Sequence, residues 1–317
     1  MYYDRTIPDE LLNLVKLDGS LHWVVDLVNS PWGVERNAHI QFRRDAKNQP
    51  LGSVHVYLGR TAILKIEGRA KGRVGFHAAD SYQEIYASLQ RWPLFRGTFS
   101  AAELAGLKDE LNGYLCDVGA QARQEFVGGE GASHGGLMRR YGSGYQPGDP
   151  LLAVDSEVRC GFDSIKERTD SRSLLAAELG VGSPKGLPTK LDTIGVLRDG
   201  SIGVIEVKDQ KGDMRRAIVQ AAAHVGTLGK TERKYLVNGL HGLMAQKVAS
   251  GLLPQSIEIQ ADAELVPIIA APDTREKWFE IWRDATVSVR KKHAAQLAGL
   301  RFWLLSESGE LVEEMIP

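Results

Sequence analysis

The chain has 317 residues, of which 43% are hydrophobic and 25% charged, with a formal net charge of −1. This is the composition of folded globular material with enough apolar residues for a large core and two domains, and it excludes wholesale disorder. A near-neutral balance provides no overall basic field, so nucleic-acid contacts would have to come from local patches.

The opening MYYDRTIPDELL puts carboxylates where a secretion signal needs a basic start followed by an apolar run, and no later stretch approaches the ~18–20 apolar residues of a membrane span. A cytoplasmic location is expected. Over residues 1–99 the segments LHWVVDLV, AHIQFRRD, SVHVYLGR, AILKIEGR and RVGFHA are short, alternate apolar with polar residues, and are separated by turn material. They predict a strand-rich N-terminal domain built on a small antiparallel sheet. Between Arg36 and Gly75 nine Lys and Arg face only Asp45 and Glu67, with Phe42, Tyr57 and Phe76 interleaved. That pattern suits a surface that recognises substrate by tracking phosphates, and it equally suits cations guarding sheet edges. DSYQEIYASLQRW then predicts a helix capped by Asp80 and ended by Pro93.

Ser100 and Glu103 have the spacing of a capping box, and Leu104, Leu107, Leu111 and Leu115 repeat at helical intervals, predicting a connecting helix. VGGEGASHGGLMRRYGSGYQPGDP is dense in glycine without apolar periodicity, which reads as a linker or mobile loop, so residues 100–150 are expected to join two domains. From 151 to 317 strands and helices alternate. LLAVDSEVRCGF reads as a strand, SRSLLAAELGV as a helix, KLDTIGVLRDGSIGVIEVK as two strands, and GDMRRAIVQAAAHVGTLGK as a helix from Asp213 to Gly229. AELVPIIAAPD follows as a buried strand, and a long helix opens at the Asp273–Glu276 box. The predicted class is α/β, with a C-terminal mixed sheet flanked by helices. The two cysteines, Cys116 and Cys160, lack metal-ligand or disulfide-framework spacing, and the eight histidines never pair at ligand spacing.

The two central strands pose a chemical question, because Asp192, Glu206 and Lys208 stand where buried strands normally hold Val, Ile and Leu. Glu206 and Lys208 share a strand face, roughly 7 Å apart. A two-residue Asp199–Gly200 loop would set Asp192 opposite Val207, on the wrong side. A three-residue loop of Arg198, Asp199 and Gly200, with Gly200 left-handed, sets Asp192 opposite Glu206 instead. Two carboxylates so placed repel unless a cation lies between them, and Mg²⁺ or Mn²⁺ prefers such oxygen donors. Lys208 would then stabilise charge developing on a phosphate. The ordinary alternative is an ion pair on a solvated edge strand.

Asp192 at the start of one strand, Glu206-Val207-Lys208 at the end of the next, a tight hairpin between them and a following helix with Gln220 resemble the PD-(D/E)xK, or restriction-endonuclease-like, nuclease superfamily. The resemblance covers roughly residues 151–270. It implies a Mg²⁺-dependent nuclease acting on nucleic acid, DNA rather than RNA, in a context such as restriction, phage defence or repair. It also implies Asp192 and Glu206 as metal ligands with the Val207 carbonyl, and Lys208 as the catalytic cation. In one subset of these nucleases a tyrosine stands four residues after the glutamine, where this chain has His224. A further acidic residue often comes from just before the catalytic strands; Glu157 is the first candidate here and Glu125 the alternative. For Arg216 and His224 the ordinary reading is a solvated polar helix face, and for Glu157 a solvated residue beside Arg159. A homodimer or a protein partner is expected where both strands are cut, and the competing reading is a catalytically silent scaffold that binds nucleic acid or a partner.

Overall fold

A computed structural model describes residues 3–44, 51–78, 95, 97–126, 129–159, 165–180, 183–208, 214–272, 287, 293–306 and 308–315. Helices α1 (Asp9–Val15), α2 (His22–Asn29) and α3 (Pro31–Val34) precede strands β1 (Ala38–Arg43), β2 (Ser53–Leu58), β3 (Thr61–Arg69), β4 (Arg73–Ala78) and β5 (Thr98–Phe99). These strands form a five-stranded antiparallel sheet in sequential order. The segment LHWVVDLV, expected as a strand, is α2. Leu21, Val24, Val25 and Val28 are buried at spacings of three and four, so the apolar run follows the helical period, and the short strand β5 takes the fifth place in the sheet.

Ser100 and Glu103 close the expected capping box: the Ser100 N–H and hydroxyl each donate to Glu103 Oε2 at 2.7 Å. The box starts α4 (Ala101–Leu104), and α5 (Lys108–Phe126) follows, its Tyr114 hydroxyl donating to the Ile63 carbonyl of β3. The glycine-rich stretch, expected as a linker, forms helix α6 (Gly129–Met138) and a π turn over Arg139–Ser143. Residues Ser133 to Met138 are buried. Glycines here allow close packing that side chains would block: a Cβ on Gly135 would lie 3.1 Å from the Gly59 Cα, and one on Gly136 3.0 Å from the Gly309 nitrogen.

The second sheet contains β6 (Leu151–Val158), β7 (Leu191–Leu197), β8 (Ile202–Val207), β9 (Leu265–Pro272), β10 (Arg301–Leu305) and β11 (Leu311–Met315), with α7 (Ile165–Glu178), α8 (Met214–Gly229) and α9 (Arg233–Ala249) between them. Its order is β11-β10-β9-β8-β7-β6, parallel at β8–β9 and β9–β10 and antiparallel elsewhere, the mixed sheet that was expected. One apolar cluster on α7 and α8 packs against Ile269 and Leu304, and another brings Leu137, Met138 and Tyr141 against Ile205, Val207 and Ile268. The largest buried cluster runs through both sheets, from Phe42, Val56 and Ile66 to Val154, Ile194 and Val204. The expected helix at 80–92, the Asp213 cap and Cys160 lie outside the described residues, as does most of the helix expected over 273–300, whose end at 294–299 forms turns and not helix. Among the described residues no helix is long and apolar enough to cross a membrane.

Candidate active site

The β7–β8 hairpin closes with the three-residue turn. Leu197 N–H donates to Ser201 O at 2.9 Å, Gly200 N–H donates to Leu197 O at 2.9 Å, and Gly200 has φ +81°, a conformation glycine adopts without steric cost. Thr193 pairs with Ile205, so one step outward Asp192 stands across from Glu206 on the same face. Lys208 follows directly, its N–H extending the ladder to Ala270 O at 2.8 Å. On the other side, a bulge between Ala153 and Asp155 shifts β6 so that Ser156 pairs with Thr193 and Val158 with Leu191. Glu157, between them, therefore faces Asp192. It has φ +49°, uncommon for a residue with a side chain and characteristic of constrained sites.

Asp192 and Glu206 are each only 2% exposed. Asp192 Oδ2 accepts the Val207 N–H at 2.9 Å and Oδ1 meets Arg60 Nη2 at 3.0 Å. Burial, joined by the charge of Glu206, pushes the Asp192 carboxyl up to about 8 against the pull of Arg60 and Lys208. Glu206 Oε1 accepts from Lys208 Nζ at 2.7 Å, and His224 Nε2 stands 3.5 Å from Oε2. Burial works against ionised Glu206, yet His224 and Lys208 outweigh it and hold this carboxyl below its usual range. Burial likewise opposes the Lys208 charge, but Glu206 and Asp192 raise its pKa above the ordinary value, so Lys208 is held as a cation.

Glu157, 7% exposed, is not the solvated strand residue of the ordinary reading. Its Oε1 accepts from Arg60 Nε at 3.2 Å and its Oε2 from Lys190 Nζ at 2.6 Å. Burial favours its neutral form, but Lys190 and Arg60 prevail and lower its pKa. Gln220 Oε1 is buried without a hydrogen-bond partner among the described residues. His224 is buried rather than part of a solvated face, whereas Arg216 is exposed. Val207 contributes its N–H to Asp192. Glu125 lies on α5, and its side chain falls outside the described ones.

Sequence reasoning missed Arg60, Glu130, His134 and Lys190. Arg60 and Lys208 both pair with Glu130, the latter at 3.5 Å, and His134 Nε2 lies 2.9 Å from Asp192 O, tying α6 to β7. The only signal for Glu130 and His134 was their place in the glycine-rich stretch, where helical periodicity is hidden. The basic N-terminal segment is largely neutralised internally: Arg36, Arg43, Arg44, Arg60, Lys65, Arg69 and Arg73 each pair with a carboxylate. Phe42, Tyr57 and Phe76 are buried and offer no stacking platform for bases.

Among the described residues no group of three or more His, Cys, Asp or Glu side chains is arranged to hold a metal ion. The donor set fits a smaller requirement. Mg²⁺ is commonly held by one or two carboxylates and several waters, and among the described residues Glu206 Oε2 is a buried oxygen without a hydrogen-bond partner. Asp192 and Glu206 therefore suit a hard divalent ion that keeps much of its hydration, and they do not form a closed cage. No protein-family model, curated protein or solved structure matches the chain. What the fold and site define is an α/β protein with a mixed six-stranded sheet and a buried carboxylate and lysine cluster at the start of β7 and the end of β8.

Proposed function

We propose that the protein is a Mg²⁺- or Mn²⁺-dependent nuclease that hydrolyses phosphodiester bonds, DNA being the expected substrate. The observation that carries this reading is the hairpin register that sets Asp192 across from Glu206, with Lys208 Nζ 2.7 Å from Glu206 and Glu206 Oε2 lacking a hydrogen-bond partner among the described residues. Buried like charges cost stability unless a cation completes them. A bound divalent ion supplies Lewis acidity toward the phosphate and lowers the pKa of water. Asp192 and Glu206 are the residues that would hold it. Lys208, kept protonated by its neighbours, serves as an electrostatic stabiliser of the charge on the pentacoordinate phosphorus of the transition state and not as a base.

A cavity of about 690 Å³ supports an anionic substrate. It shares His224 with the site, and its lining includes Arg159, Arg168, Arg172 and Lys185 with no carboxylate among the described residues. Arg172 donates to the Pro184, Leu187 and Pro188 carbonyls and braces one wall.

The test is incubation of the protein with plasmid, linear and single-stranded DNA and with RNA, in Mg²⁺, Mn²⁺ or EDTA. Lys208→Ala should lower cleavage by roughly 10²–10³-fold while a Mg²⁺-induced rise in melting temperature persists. Asp192→Ala should lose both. Absence of cleavage of every substrate with either ion would overturn the enzyme reading in favour of a binding scaffold.

A further inference from the structure

Arg60 occupies the tip of the β2–β3 hairpin, where Leu58 pairs with Thr61 and Gly59 and Arg60 form the turn. Gly59 has φ +56°, and a Cβ there would lie 2.7 Å from Gly131 O, so the turn is wedged against α6. From this fixed base the guanidinium reaches three carboxylates: Nη2 to Asp192 Oδ1 at 3.0 Å, Nε to Glu157 Oε1 at 3.2 Å, and Nη1 to Glu130.

The two oxygens of Asp192 are not equivalent. Oδ2 is bound by the Val207 N–H, a donor fixed in the chain at the end of β8. Among the described residues Oδ1 is bound only by a long side chain that is 36% exposed. A cation approaching Asp192 therefore gains an oxygen by taking Oδ1 from Arg60, since a guanidinium and a divalent ion on one oxygen would repel strongly. Among the described residues Glu206 Oε2 has no hydrogen bond to break, its nearest polar neighbour being His224 Nε2 at 3.5 Å.

We infer that Arg60 is a positioning residue that sets the site's affinity for divalent ions: it is the counter-cation the ion displaces from Asp192, while Glu157 and Glu130 retain it at the edge of the site. The inference rests on the metal-dependent reading above. It makes the N-terminal sheet part of the site, because the hairpin, and no element of the second sheet, delivers the competing charge.

The experiment is calorimetric titration of Mn²⁺ into the full-length wild type and the variants Arg60→Gln, Arg60→Lys and Asp192→Asn, with thermal melts in EDTA to confirm folding. Breaking a charged hydrogen bond costs on the order of tenfold or more in an equilibrium. Arg60→Gln should therefore bind Mn²⁺ about tenfold tighter than wild type. Arg60→Lys, which keeps the charge but not the three-way fork, should fall between them, and it carries the test alone if Arg60→Gln does not fold. Asp192→Asn should lose the binding. Affinity that is unchanged or weaker in both Arg60 variants, with binding still lost in Asp192→Asn, would overturn the role of Arg60 and leave the metal site standing. No Asp192-dependent binding in wild type or either Arg60 variant would overturn both.

Discussion

Two buried carboxylate centres lie on neighbouring strands and have opposite characters. On β6, Asp155 is completely enclosed and fully matched. Its Oδ1 accepts from Arg43 Nη1 at 2.6 Å and from the Ser156 N–H at 2.8 Å, and its Oδ2 accepts from the Tyr3 hydroxyl at 3.1 Å, with Arg5 Nε 3.7 Å away. Burial would raise its pKa, but Arg43 and Arg5 outweigh burial and keep it low. Arg43 also donates to Ser156 O at 2.7 Å, and Lys247 donates to Gln41 Oε1 at 2.6 Å and Val154 O at 2.5 Å, so the network ties the first sheet and α9 to the second sheet. Around Asp192 and Glu206 the matching is incomplete: the two carboxylates repel, and among the described residues Glu206 Oε2, Gln220 Oε1 and His224 Nε2 lack hydrogen-bond partners, His224 Nε2 standing 3.5 Å from Oε2. Burial of charge is common to both centres and therefore marks neither as functional. The unmatched oxygen and the like-charge repulsion distinguish the one that a ligand can complete.

Breaking each centre should expose the difference. Asp155→Ala leaves Arg43 buried without its carboxylate and should cost about 3–5 kcal/mol in denaturant unfolding. Asp192→Asn should cost little or even stabilise the metal-free protein, because it removes repulsion from Glu206 and keeps an oxygen for the Val207 N–H. An equal loss in both variants would erase the distinction between the centres.

The pH dependence sharpens the comparison. For a carboxyl raised to about 8 when folded, the folded state holds a proton that the unfolded state has lost above its ordinary value of 3.8. The Asp192 contribution is therefore full below about 4 and declines as pH rises to about 8, by at most about 1.4 kcal/mol per pH unit. Melts of metal-free protein in EDTA between pH 5 and 9 should show Asp192→Asn gaining on wild type as pH increases. Lys247, beside Asp155, has the reverse sign. Burial, with Arg43 adding to it, lowers its pKa from 10.5 to about 7 despite Asp155, so the unfolded chain binds the extra proton between those values. Its contribution grows as pH rises from about 7 to about 10.5, and wild type should gain on Lys247→Met across that window.

The smallest effect concerns the turn that joins the two halves of the candidate site. Gly59→Ala forces a side chain into a left-handed conformation against Gly131 O and should destabilise by about 1–2 kcal/mol in denaturant titrations. If stability and Mn²⁺ affinity are both unchanged in this variant, the hairpin is not the rigid base that delivers Arg60.

The sequence alone determined what is local. The relation of Asp192 to Glu206 depends on fewer than twenty consecutive residues, and Gly200 selects the turn that sets the register, so pleat alternation was enough to put both carboxylates on one face. The Ser100–Glu103 box and helix α8 were legible for the same reason, since a cap and an amphipathic period are short-range patterns. Tertiary structure decided the rest. LHWVVDLV holds five valines and leucines whose spacing serves a helix as well as a strand, and its packing against the first sheet selected the helix. The glycines of α6 make no periodic pattern, because their use is the absence of a side chain where Gly59 and Gly309 come close. Arg60 and Glu130 reach Asp192 and Lys208 from distant parts of the chain. No spacing rule encodes such a meeting, because two sheets sharing one core fix it only once both have folded.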